Sequence, residues 1–187
     1  MPRLAFAVLP ILAALALAGS EPARAQQDDN SAPTQIARAA HTLAAIWRPI
    51  TTTTQAALTA ACAGATDDLN ALEAAIPQQL SNTTLATVRV AHGLVFVPTD
   101  ENPAEVFVFP DPSMAWLASG VAVIRSADEE TGEVALEDAN GQAVHLLLGH
   151  VAGQLLMRLA TPGGQDITYA GCASTLDQPA PARGTPG

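Results

Sequence analysis

The 187-residue sequence contains no lysine, and its eight basic residues are all arginines. A Walker A phosphate loop, Schiff-base catalysis and pyridoxal phosphate attachment each depend on a lysine amine. These three kinds of site are therefore excluded, and with them several large classes of enzyme.

Aromatic residues are also scarce, at 4% of the chain, which leaves no evident stacking platform for bases or sugars. Acidic residues outnumber basic ones, and the formal charge is −10 at pH 7. The arginines are scattered singly along the chain, whereas a duplex-binding protein clusters its basic side chains against phosphates. We therefore expect no nucleic-acid partner, and we expect the acidic excess to keep the protein soluble.

Motifs that carry familiar chemistry are missing as well. The sequence has no G-x-S-x-G elbow, no H-E-x-x-H helix, no G-x-G-x-x-G turn and no EF-hand loop. The closest two histidines, His145 and His150, are five positions apart and would lie on opposite faces of a strand. His41 and His92 are distant from them in the sequence. We predict no catalytic residue, no cofactor and no metal ion.

The N-terminus has the pattern of a secretory signal peptide. Arg3 gives a positive start, and the apolar run from Leu4 to Ala18 is too short to span a bilayer. The segment Ala23-Arg24-Ala25 then offers an A-x-A cleavage site. We predict that residues 1–25 are a signal peptide and that the mature protein works in the periplasm or outside the cell, without a stable membrane anchor.

The chain has two cysteines, Cys62 and Cys172. They form no C-x-x-C motif, and two cysteines cannot complete a zinc site alone. In an exported protein the oxidising surroundings favour a disulfide. We predict a bond between them that joins the second helix to the last strand.

Helical periodicity is confined to the first part of the mature chain. The polar stretch 26–33 lacks it and is predicted to be a flexible leader, whereas residues 34–77 are predicted to form an antiparallel pair of helices. The apolar stripes are Ile36, Ala40, Leu43 and Trp47 in the first helix, and Leu58, Cys62, Ala65, Leu69, Leu72 and Ile76 in the second.

Residues 84–174 have short β-rich runs separated by turn residues, which predict an antiparallel β region. Asn140-Gly141 is the strongest hairpin signal, because both residues tolerate the positive φ of a type I′ turn. The tail, residues 175–187, is rich in Pro, Ala and Gly and is predicted to be disordered. The strand-like runs are Val88 to Val90, Leu94 to Val97, Val106 to Phe109, Val121 to Ile124, Val134 to Leu136, Val144 to Leu148, Leu155 to Leu159 and Ile167 to Ala170.

Together these patterns predict one α+β domain, in which the N-terminal antiparallel helical hairpin packs on a C-terminal antiparallel β meander, either sandwich-like or barrel-like. Leu94 to Val97, Leu146 to Leu148 and Leu155 to Met157 are continuous apolar runs. Such strands need apolar cover on both faces. The helices can cover one face, and the other requires sheet closure, a subunit or an apolar ligand.

Two kinds of function stay open at this point. The first is an exported, non-enzymatic accessory domain that binds a protein partner or an apolar small molecule through its β layer, or that forms a homodimer. The second is a small hydrolase in which carboxylates among Asp100, Glu101, Glu105 and Asp111 act as acid and base. The absence of nucleophile and metal motifs favours the first.

Overall fold

A computed structural model describes residues 31–75, 79–80, 88–176 and 182–183 of the chain. The predicted signal peptide and most of the predicted leader lie outside the described residues, as do residues 177–181 and 184–187 of the predicted tail. In the described ranges, no helix has the length and apolar character needed to cross a membrane.

Eight antiparallel strands close into a barrel, because the last barrel strand pairs with the first. The fold is therefore α+β with an antiparallel barrel, and of the two predicted arrangements the barrel-like one is formed. The barrel strands, in order around the wall, are β1 (Ala45–Ile50), β3 (Leu94–Pro98), β4 (Glu105–Pro110), β5 (Gly120–Ala127), β6 (Glu133–Glu137), β7 (Ala143–Val151), β8 (Gln154–Ala160) and β9 (Asp166–Ser174).

The remaining described elements are three helices and a small separate sheet. The helices are α1 (Ala32–Leu43), α2 (Gln55–Cys62) and α3 (Ala65–Ala75). Two short strands, β2 (Gln79–Leu80) and β10 (Ala182–Arg183), pair in parallel with each other.

Alternate side chains of the barrel strands fill the interior, as is usual for eight strands, whose interior is just wide enough for side chains. Trp47 and Tyr169 are the largest of them, and both are buried. The indole nitrogen of Trp47 donates a hydrogen bond to the Leu43 carbonyl, 2.9 Å away. Gly171 passes beside the indole ring, where a Cβ would lie 3.4 Å from two ring atoms. The interior side chains thus pack around Trp47, which lies in the first barrel strand, β1.

The outer faces of several strands are covered by helices. Leu69 and Leu72 of α3 belong to one apolar cluster with Val95, Phe107 and Phe109. Leu58 of α2 belongs to another with Leu156 and Ala170 on β8 and β9. This cover explains why Leu94 to Val97 is buried on both of its faces.

The predicted helical hairpin is not formed. The first helix ends at Leu43, and Trp47 lies in β1, which pairs with β3 and β9 and separates α1 from α2. A spacing of four residues from Leu43 to Trp47 fits a helical stripe, but burial of the indole inside the barrel outweighs this local preference. In the structure α1 packs mainly on the barrel, against β5 and β3.

The second predicted helix is divided into α2 and α3. Between them, Gly64 adopts a left-handed conformation with φ +75°, which ends a helix readily because glycine has no Cβ. Because of this division, the predicted apolar stripe of the second helix packs on two different parts of the barrel wall. Leu58 packs on β8 and β9, whereas Leu69 packs against β3 and β4.

Several predicted boundaries also change. Helix α1 begins at Ala32, inside the predicted leader, because Pro33 is well tolerated in the first turn. The run Val88 to Val90 is not a strand, although the Val90 amide donates to the Pro110 carbonyl. Thr175, in the predicted disordered tail, is buried, and its amide donates to the Ala44 carbonyl at 2.9 Å.

The hairpin predicted at Asn140-Gly141 is present between β6 and β7, but its turn type is different. Gly141 has φ +80°, whereas Asn140 does not have positive φ. The carboxylate of Asp138 holds this turn by accepting the amides of Asn140 and Gln142, each at 2.9 Å. Positive φ at both central positions occurs instead in the β7–β8 hairpin, at residues 152 and 153.

Candidate functional site

One end of the barrel carries a cavity of about 700 Å³, which we call the mouth cavity. Its wall is formed by α1, the β5–β6 turn and the β7–β8 hairpin. Helix α1 packs Ala39, Ala40 and Leu43 onto the interior cluster and so closes part of this end. The space left beside the β7–β8 hairpin has the size of a small-molecule site, about 300–1,000 Å³.

The floor of the mouth cavity is apolar. Val134 of β6 is buried, and Leu148 and Leu155 are half-buried against the same interior cluster. Leu148 follows Leu146 by two positions on β7, so both lie on the inner face of the strand. The floor of the mouth cavity is therefore the edge of the barrel core at this end.

The rim of the mouth cavity is polar and carries an ion pair. The Nη1 atom of Arg38 donates to both carboxylate oxygens of Glu129, at 3.0 and 3.2 Å, which links α1 to the β5–β6 turn. Asp128 Oδ1 accepts the backbone amides of Glu130 and Thr131, at 2.8 and 3.2 Å. Much of the charge at the rim is thus already engaged within the protein.

The β5–β6 turn is held close to β7 by a glycine. Gly132 has φ +76°, and a Cβ on it would overlap the carbonyl oxygen of Leu148. The Leu148 amide donates to the Gly132 carbonyl at 2.8 Å. Only glycine fits this contact, so the residue helps to fix the shape of the cavity wall.

Two histidines from distant parts of the sequence line the same cavity. His41 comes from α1, where it shares one helical face with Arg38, and His150 comes from the end of β7. His150 continues the inner-face series of Leu146 and Leu148, and it lies opposite Leu155 in the β7–β8 pairing. Sequence reasoning missed this pair, although the two-residue step from Leu148 to His150 was a usable signal.

His145 lies on the outer face of β7 and lines a different, smaller cavity with Arg158 and Asp166. The prediction that His145 and His150 occupy opposite faces is therefore confirmed. Among the residues that the structure describes, no group of three or more His, Cys, Asp or Glu side chains could hold a metal ion.

The carboxylates considered for hydrolysis do not all come together. Glu105 begins β4 and accepts a hydrogen bond from the Asn102 side chain at 3.2 Å, whereas Asp111 follows the end of the same strand. Six positions of extended chain separate the two by about 20 Å. Burial tends to raise the pKa of Asp111, but hydrogen bonds from Ser113 and the nearby His92 outweigh it and lower the pKa. An acid–base pair of Glu105 with Asp111 is thus not formed.

A second group of charges lies under α3. The guanidinium of Arg48 is buried on the outer side of β1 and donates to the Asp68 carboxylate and to the His92 carbonyl. Burial lowers the pKa of Arg48, and the negative charge of Asp111 opposes this effect. These contacts hold α3 to the wall, which is a structural role.

Cys62 and Cys172 form a disulfide that joins α2 to β9, with their Cα atoms 5.0 Å apart. The predicted pairing is confirmed. Since α2 is only eight residues long, the bond provides a covalent attachment where little apolar area is available.

Comparison with known proteins finds no matching family model, no matching curated protein and no matching solved structure. Any assignment of function consequently depends on the geometry described above.

Proposed function

We propose that this protein is an exported, non-enzymatic binding domain that holds a small, largely apolar molecule in the mouth cavity. The observation that carries the proposal is the cavity itself, about 700 Å³, with Val134, Leu148 and Leu155 as its floor. Apolar floors with a few polar groups at the edge are typical of small-molecule sites.

Closure of the barrel supports a ligand in preference to a partner surface or a homodimer. Two of the three continuous apolar runs, Leu94 to Val97 and Leu155 to Met157, find their cover inside the molecule, in the barrel interior and under α2 and α3. In the third, Leu146 to Leu148, only Leu147 faces outward, and it is partly buried. Among the described residues, the exposed large apolar side chains are Val151 and Leu176. Two such residues do not make the broad apolar patch that a stable interface would use.

Export is part of the proposal. It is supported by the signal-like N-terminus and by the Cys62–Cys172 disulfide, since structural disulfides persist in oxidising compartments. Intact-mass measurement of protein recovered from the periplasm or medium tests it. We expect a chain that starts at Gln26 and contains no free thiol, and a full-length reduced chain would contradict export.

The binding proposal is tested by titrating the exported protein with Nile red, an uncharged dye that fluoresces in apolar surroundings. Ala37 of α1 lines the mouth cavity, so Ala37→Trp should fill it and weaken dye binding by at least about tenfold. The matched control is Ala60→Trp, at an exposed position of α2 outside the cavity. Equal binding by both variants and the unchanged protein would refute the mouth cavity as the site.

A further inference from the structure

We infer that the mouth cavity selects an uncharged amphiphile, meaning an apolar chain that ends in a hydroxyl or carbonyl group, with its polar end held by His41 and His150. The inference deepens the proposed function and rests on it. Three features carry it: the placement of the two histidines, the charge balance of the rim, and the apolar floor.

The two imidazoles stand where the apolar floor meets solvent. His150 is exposed and lies two positions beyond Leu148 on the inner face of β7, directly opposite Leu155. His41 is exposed on the α1 side of the same cavity. A chain lying on Leu148 and Leu155 would therefore end beside these rings. A neutral imidazole offers one donor and one acceptor, which suits a hydroxyl or carbonyl group.

The titratable groups that line the cavity are Arg38, His41, Asp128, Glu129 and His150. Arg38 is the only arginine among them, and its bonds to both oxygens of Glu129 offset its charge. With the histidines counted as neutral, Arg38, Asp128 and Glu129 together give the lining a formal charge of −1. A ligand carboxylate held beside these imidazoles would thus lose part of its hydration without gaining a cationic partner, which is costly.

A cationic ligand gains little at the same rim. Glu129 is already bonded to Arg38, and Asp128 already accepts two backbone amides of the β5–β6 turn. Both carboxylates are exposed, and exposed ion pairs contribute only about 0–1 kcal/mol. An uncharged polar end avoids the desolvation of either charge and still uses the two imidazoles.

The experiment compares three ligands with the same chain length: 1-decanol, decanoate and decylammonium. Each displaces Nile red from the disulfide-bonded mature protein at about pH 8, where both charged probes are ionised. We expect decanol to bind at least about tenfold more tightly than decanoate, and more tightly than decylammonium. Tighter binding of either charged probe would overturn the inference.

Variants of β7 identify the group that recognises the polar end. His150→Leu should weaken decanol binding about fivefold, since one hydrogen bond is lost while apolar area is kept. The matched control is His145→Leu, on the same strand but facing away from the cavity, which should leave decanol binding unchanged. Unchanged decanol binding by a folded His150→Leu variant would contradict the role of His150.

These results distinguish a failure of the proposed binding site from a failure of the inferred ligand class. Nile red binding that Ala37→Trp does not reduce would refute the mouth cavity as the site, and the ligand class would fall with it. Binding that Ala37→Trp abolishes, combined with a preference for decanoate or decylammonium, would refute the uncharged ligand alone.

Discussion

The barrel wall has two halves that differ in what lies outside them. In the covered half, β8, β9, β1, β3 and β4 carry α2 or α3 on their outer face. In the uncovered half, β6 and β7 contribute no described residue to the apolar clusters beneath α2 and α3, and β5 contributes only the partly buried Val121. Strand β3 is buried at four consecutive positions, whereas β6 alternates between buried and more exposed ones. In β3 the continuous apolar run accompanies cover on both faces, and in β6 the alternation accompanies cover on one. The run Leu146 to Leu148 in β7 does not follow this rule, because Leu147 on the outer face is only partly buried and belongs to neither cluster beneath α2 and α3.

The same contrast appears in the charged residues. In the covered half, Arg48 is buried beneath α3 and bonded to Asp68. In the uncovered half, Arg125 and Glu137 pair across β5 and β6 with both side chains substantially exposed. An ion pair in the first setting should matter for stability, and one in the second should matter little. Three experiments test how far this division of the wall determines stability, and a fourth tests the interior that both halves share.

The largest expected effect comes from removing the bond that attaches α2 to the covered half. The double variant Cys62→Ala, Cys172→Ala should lose about 4–5 kcal/mol of unfolding free energy, because the bond closes a loop of about 110 residues. Urea unfolding of the oxidised protein and of the variant measures the difference. Reduced unchanged protein serves as the control and should match the variant, and a loss below about 1 kcal/mol would contradict the prediction.

The next comparison uses one residue type on the outer faces of neighbouring strands. Leu156 on β8 is buried under α2, whereas Leu147 on β7 is only partly buried. Leu156→Ala should cost about 3 kcal/mol, because it leaves a cavity beneath the helix. Leu147→Ala should cost less than about 1 kcal/mol. Urea unfolding of both variants decides this, and equal losses would remove the distinction between the two halves.

Much of the wall could be predicted because alternation and turn residues are local signals. Seven of the eight predicted runs lie in barrel strands. The continuous runs Leu94 to Val97 and Leu155 to Met157 correctly indicated cover on both faces, whereas for Leu146 to Leu148 this prediction was wrong, because Leu147 is only partly buried on the outer face of β7. The disulfide was also predictable, since the chain contains only two cysteines.

The rest depends on tertiary contacts that no local pattern reveals. The four-residue step from Leu43 to Trp47 satisfies a helix, but the barrel interior takes the indole and makes a strand. His41 and His150 line one cavity because the barrel closes and α1 packs across its end, and neither feature follows from residue spacing alone. For this reason the candidate site could not be predicted, even though each wall segment could.

A pH titration tests the interior that both halves share. Burial raises the pKa of Tyr169 to about 12, and the negative charge of Asp111 adds to the effect. In the unfolded chain a tyrosine ionises near pH 10. The folded state therefore holds this proton more tightly, so its stabilising contribution is complete below about pH 10 and is lost as the pH rises to about 12.

Tyr169 is the only tyrosine in the chain, so phenolate absorbance reports it directly. We expect phenolate to appear only well above pH 10, together with loss of the folded circular dichroism signal. The effect on stability should be on the order of 2 kcal/mol. Tyr169→Phe should remove this part of the pH dependence. Phenolate formation near pH 10 in the folded protein would show that the ring is not buried as described.

The smallest effects should separate the two ion pairs. Asp68→Asn removes the anionic partner of the buried Arg48 guanidinium and should cost about 2 kcal/mol, because a charge-assisted hydrogen bond to a buried cation is weakened. The matched change Glu137→Gln affects an exposed pair with Arg125 and should cost below about 0.5 kcal/mol. Urea unfolding at low and high salt measures both. Added salt should erase the small Glu137→Gln cost and leave most of the Asp68→Asn cost, since buried charges are screened less. If the two variants lost the same stability with the same salt dependence, α3 would not be shielding Arg48 from solvent, and the covered half would differ from the uncovered half in its apolar contacts alone.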